Sequence, residues 1–132
     1  MESLAELFQA KQVEKEFKTS KFTFKLRTLS AEELTEVFRR ADSVAMSIET
    51  KALVVKRYTL AYALTSINGM DIATFPEVIE LRNKDLNHVL TKEDALAIVL
   101  GKFDDTVLDS LYNCYSAMRD EVTAAREELK KA

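Results

Sequence analysis

The chain has 132 residues, of which 47% are hydrophobic and 31% charged, the balance of one soluble globular domain able to bury a core of its own. Two glycines and one proline argue against a turn-dense all-β fold, and a formal charge of −3 gives no global attraction to nucleic acid or anionic membrane. One cysteine, Cys114, rules out an internal disulfide and a multi-cysteine zinc site.

In chain order, Ser3 to Val13 is expected to form a short helix with Leu4, Leu7 and Phe8 on one side. Glu2 and Glu6 stand where a secretory leader would carry basic residues, so no leader is expected. From Glu14 the period changes. Phe22, Phe24 and Leu26 alternate with Thr23, Lys25 and Arg27, which predicts a half-buried strand and a β-hairpin over residues 14–28.

Ser30 followed by Glu33 is a capping box that opens a helix from Ala31 to about Met46. Its apolar stripe is Leu34, Val37, Phe38, Ala41, Val44, Ala45 and Ile48. A second helix is expected from Glu49 to Ile67, stopped by Asn68-Gly69. Thr74, Pro76 and Glu77 predict a further capped helix, with Val78, Ile79, Leu81, Leu86, Val89 and Leu90 inward. Thr91 and Asp94 open a short helix that Gly101 closes. Asp104 or Asp105 then caps a long amphipathic helix over residues 104–132. The expected fold is mainly α with a small N-terminal β-hairpin. It comprises one domain over 1–132, with a helical core over 31–103 and a bundle completed by the long C-terminal helix.

Along that last helix Leu108, Leu111, Tyr115, Met118, Val122, Ala125 and Leu129 recur at alternating spacings of three and four, which makes a narrow seam. Two readings stand. The seam packs on its own domain, or it meets a partner helix or a second copy. Tyr112 and Tyr115 favour a contact surface. The candidate interface is therefore Leu108, Leu111, Tyr112, Tyr115, Met118, Val122 and Leu129.

No constellation for catalysis, cofactor or metal binding is apparent. His88 and Cys114 are the only histidine and thiol, and no local signature joins them. The neighbouring carboxylates Glu32-Glu33, Asp104-Asp105, Asp120-Glu121 and Glu127-Glu128 do not face each other on helices. Two glycines cannot build a phosphate loop. Residues 11–27 interleave Lys11, Lys15, Lys18, Lys21, Lys25 and Arg27 with Phe17, Phe22 and Phe24, a pattern that single-stranded nucleic acid can use. Because the rings alternate with the charges, they are expected to enter the core and leave a solvated basic face. The longest apolar stretch, Tyr58 to Ile67, is too short to span a membrane.

The order of a basic hairpin, then LRTLSAEELTEVFRR, then RYTLAYALTSINGMDI resembles small tail-morphogenesis proteins of tailed bacteriophages. It is similar to their tail assembly chaperones and to small baseplate or hub proteins. The positions that carry the likeness are Arg27, Leu29, Ser30 and Glu33, then Ile67, Asn68 and Gly69. The resemblance implies a non-enzymatic protein without cofactor that acts in the host cytoplasm or stays in the virion tail. A chaperone of this kind would bind the helical tape-measure protein. Homo-oligomerisation is also open.

Overall fold

The computed structural model describes residues 13–44, 46–84 and 90–131, and the side chains at 125, 126 and 128–131 are outside that description. The fold is mainly α with a small antiparallel sheet. The hairpin is β1 (Glu14–Lys18) and β2 (Thr23–Arg27), paired from Glu14↔Arg27 to Lys18↔Thr23. Thr19 shapes its turn. The Thr19 N–H donates to the Phe22 carbonyl at 2.8 Å, and the Thr19 hydroxyl accepts from the Phe22 N–H at 3.0 Å.

Helix α1 (Ala31–Val44) begins at the expected capping box. The Glu33 N–H donates to Ser30 Oγ at 3.2 Å, and the Ser30 N–H donates to Glu33 Oε1 at 3.0 Å. Arg27 at the end of β2 adds a two-pronged clamp on the same carboxylate, 2.9 and 2.6 Å, so strand end and helix start are one unit. Ser47 opens α2 (Ile48–Ala63) by accepting from the Thr50 N–H at 3.1 Å. Asp42 and Lys51 pair across the α1–α2 turn at 2.5 Å.

The helix expected to continue to Ile67 ends at Ala63. The chain passes without a loop into β3 (Leu64–Ile67), and a two-residue turn leads to β4 (Met70–Asp71), giving sheet order β1-β2-β3-β4. Asn68 and Gly69 both have positive φ, 53° and 77°, as a tight two-residue hairpin turn requires. The physical reason for the change is β2. Its second edge needs a hydrogen-bonding partner, and Leu26 and Phe24 need cover, so tertiary pairing overrides the helical spacing of Leu60, Leu64 and Ile67. A bulge at Thr65 absorbs the register shift between Lys25 and Leu26, and the Thr65 hydroxyl donates to the Lys25 carbonyl at 3.3 Å.

After a 3₁₀ turn over Ile72–Thr74 come α3 (Pro76–Asn83), α4 (Lys92–Leu100) and α5 (Asp105–Lys131). Thr74 does not cap α3 as expected. Its hydroxyl donates to the Asp71 carbonyl instead, and Phe75 occupies the cap position without a side-chain bond. Ile79 is exposed, whereas Val78 is buried. Thr91 caps α4, and Asp104 caps α5 by accepting from the Thr106 N–H at 2.8 Å. The core lies around α2, which packs against α1, α4 and α5 and buries Val54, Tyr58, Leu60, Ala61 and Ala63. The helix expected over Ser3 to Val13, and Leu86, His88 and Val89, fall outside the described residues apart from Val13.

Candidate functional site

The seam of α5 turns inward for most of the length over which its side chains are described. Leu108, Leu111, Tyr115 and Met118 are all buried, packed with α2 and β2 in the core of the domain. Of the two readings of the seam, these four residues follow the one in which it packs on its own domain. A sheet open on one face and a central helix of two-sided apolar character leave a large area to cover, and α5 is the element that covers it. Tyr112 is half-buried at the flank, 6.0 Å from the Tyr115 ring, with the Lys56 ammonium 5.8 Å above its own ring. Val122 is half-buried, and the side chain of Leu129 lies outside the described residues.

Among the described residues large apolar side chains are exposed at several places, and the most exposed of them stand at the α1–α2 corner. Phe38, Val44, Met46, Ile48 and Leu53 are all exposed, Met46 and Ile48 at 96% and 89%. Spacing alone places Phe38, Val44 and Ile48 on the buried stripe of one helix. Ser47 breaks that stripe by capping a new helix, and the Ser47–Thr50 spacing is the signal that locates the corner. Methionine and isoleucine displayed on a turn between two well-anchored helices can be taken up by an apolar partner at little conformational cost to the scaffold.

A concave feature lies between the sheet and α5. Phe22, Phe24, Leu64, Ile67, Phe103 and Val107 line a mostly apolar cleft of about 480 Å³, with Lys21 and Asp104 on its rim. A neighbouring lobe of about 400 Å³ shares Leu64, Ile67 and Phe103 and extends along Ile72, Phe75 and Leu96. Phe103, on the turn between α4 and α5, stands exposed at the junction.

A polar group that ties several helices together is Asp94, at the start of α4. Its Oδ1 accepts from Arg40 of α1 at 2.7 Å and from the Tyr58 hydroxyl of α2 at 2.8 Å, while Oδ2 accepts from Thr91 at 2.9 Å. Burial works to raise the Asp94 carboxyl, but the bonds from Tyr58, Arg40 and Thr91 outweigh it and hold it below the ordinary carboxylate range. Burial, with Asp94 alongside, pushes the Tyr58 hydroxyl up to about 12. The cluster is a clasp joining three helices. Arg40 extends it to Glu36 of its own helix at 3.2 Å, and a network of this kind suits fixation of the three helices.

Cys114 is half-buried, and burial pushes its thiol up, with Lys15 only partly opposing this, so the nucleophilic thiolate is disfavoured. Its suggested companion, His88, lies outside the described residues. On the basic hairpin, Phe17 stacks on buried Phe24 at 5.5 Å, so the rings are turned toward the core as the alternation predicts. Lys25 pairs with Glu14, Arg27 with Glu33, and Lys15 with Glu121. Among the described residues no helix is long and apolar enough to cross a membrane, and no group of three acidic, histidine or cysteine side chains is placed to hold a metal ion. Comparison with protein-family models, with curated proteins and with solved structures finds no match to this chain.

Proposed function

We propose that this chain is a non-enzymatic morphogenesis protein of a tailed phage, which binds an apolar helical partner of the tape-measure type during tail assembly in the host cytoplasm. The observation that carries this reading is the α1–α2 corner, where Met46 and Ile48 project almost wholly into solvent. A holding chaperone must display apolar surface while free and cover it when loaded. Burying one such side chain contributes about 1.5–3 kcal/mol, so a few of them sustain a specific and reversible contact. The sequence likeness supports the reading from a separate direction. Its positions Arg27, Ser30 and Glu33 form one hydrogen-bonded unit, whereas Asn68-Gly69, a helix stop in that likeness, is a hairpin turn here.

The test is light scattering of the purified protein, alone and with a tape-measure fragment. A discrete complex is expected. Met46→Asp together with Ile48→Asp should weaken it about a hundred-fold, as the loss of two apolar anchors requires, while the melting temperature stays unchanged. A large ring that ignores the fragment would instead identify a permanent baseplate or hub subunit. Binding that is indifferent to the double variant would remove the corner from the mechanism.

A further inference from the structure

Strand β1 is the outer strand of the sheet, so one of its edges has no strand beside it among the described residues. Which backbone groups it offers follows from the hairpin's ladder. The Thr28 N–H donates to the Val13 carbonyl, and the Thr19 N–H donates to the Phe22 carbonyl. Antiparallel hydrogen bonding alternates along a strand, so Lys15 and Phe17 also spend their backbone groups on β2. Glu14, Glu16 and Lys18 therefore direct their N–H and C=O groups outward.

The charges of this strand divide in an informative way. Glu14 is paired with Lys25 and Lys15 with Glu121. Glu16 and Lys18, one on each side of Phe17, are exposed and have no ion-pair partner among the described residues. Two opposite, unpaired charges symmetric about one residue are self-complementary under a two-fold rotation.

We infer that the free edge of β1 pairs antiparallel with β1 of a second copy, about a two-fold axis at Phe17. In that register Glu16 stands opposite Lys18 of the other copy, and Lys18 opposite its Glu16. Both are hydrogen-bonded pairs that use the outward backbone groups just derived. Phe17 faces its own equivalent in the closer, non-hydrogen-bonded position, with Cα atoms about 4.5 Å apart. This extends the Phe17–Phe24 stack across the axis. Lys15 falls opposite Thr19 and Glu14 opposite Ser20, so no like charges meet directly. The alternative register centred on Glu16 would set two Glu16 carboxylates face to face and is disfavoured. The two sheets join into one continuous eight-stranded sheet. The pairing is independent of the tail-assembly reading and stands or falls without it.

Sedimentation velocity across the micromolar range tests it with two charge swaps. Wild-type protein should show a concentration-dependent dimer that weakens with added salt. Glu16→Lys and Lys18→Glu, each alone, place like charges opposite each other twice and should weaken self-association on the order of ten-fold. Mixed in equal amounts, the two single variants should form a heterodimer. The two positive charges that flank Phe17 in the first variant then face the two negative charges that flank it in the second. The double variant should restore the homodimer. Circular dichroism should be the same for all four proteins, since both side chains are exposed. A wild-type monomer throughout the range, a dimer insensitive to either swap, or single variants that fail to associate on mixing would each overturn the inference.

Discussion

Arg27 and Glu33 carry more of the architecture than a surface ion pair usually does. The carboxylate accepts both prongs of the guanidinium and the Ser30 N–H, and both side chains are mostly covered. The Arg27 bonds hold the Glu33 carboxyl below the ordinary range, with burial opposing them. A carboxyl depressed in the folded state adds stability that is fully present above its unfolded pKa and lost as pH falls through the folded value. At neutral pH, Glu33→Gln should therefore cost about 1–2 kcal/mol, as loss of a charge-assisted hydrogen-bonded pair does. Below about pH 4.5, where the unfolded carboxyl begins to protonate, the gap between variant and wild type should close. Thermal melts from pH 7 to pH 3 would show the two curves converging. Curves that stay parallel would mean that the pair adds nothing beyond packing.

At the scale of elements, the β3–β4 hairpin is the one that spacing hides and turn chemistry reveals. Leu60, Leu64 and Ile67 keep helical intervals, so periodicity alone extends α2 to Ile67. Asn68-Gly69, the strongest short hairpin signal, sits at the end of that run and reads equally well as a helix stop. Only the need of β2 for a second partner decides between the two, and that need is non-local. By contrast, the α1 and α4 starts were legible because their caps are local: Ser30 with Glu33, and Thr91 with Asp94. Gly69 has φ 77° and open space around its Cα, so Gly69→Ala should cost about 1 kcal/mol from backbone strain and not from crowding. Asn68 adds side-chain and backbone bonds to Thr23 at 2.9 and 2.6 Å, which anchor this turn to the start of β2. Urea melts of Gly69→Ala and Gly69→Asn separate the causes. Asparagine tolerates the left-handed region better and should recover part of the loss.

For the whole molecule, the α5 seam shows what spacing can and cannot say. It identifies the apolar face of a helix correctly and is silent on what covers it. Here the covering surfaces are α2 and β2, elements far away in sequence. The candidate contact surface was illegible for the complementary reason. Val44 and Ile48 look like core by spacing, but the break at Ser47 puts them on two different helices, and both are exposed. Leu111→Ala should thus cost about 2–5 kcal/mol and Tyr115→Ala about 3–5 kcal/mol, as deletions inside a packed core do. Domains of this size hold about 5–15 kcal/mol in total, so either change should shift the urea midpoint strongly. Met46→Ala, on the exposed corner, should leave stability within about 0.5 kcal/mol of wild type.

Because α2 runs straight into β3, one 16-residue helix separates the exposed corner at its N-terminus from the sheet at its C-terminus. At 1.5 Å per residue that is a strut of about 24 Å with no hinge in it. Client capture at one end and self-pairing at the other would then be sterically independent, and a pair of copies would be bivalent. Under the proposed function, such a unit would grip an extended helix at two points at a fixed separation. The second grip is intramolecular, so a modest single-site affinity becomes strong avidity without any new contact.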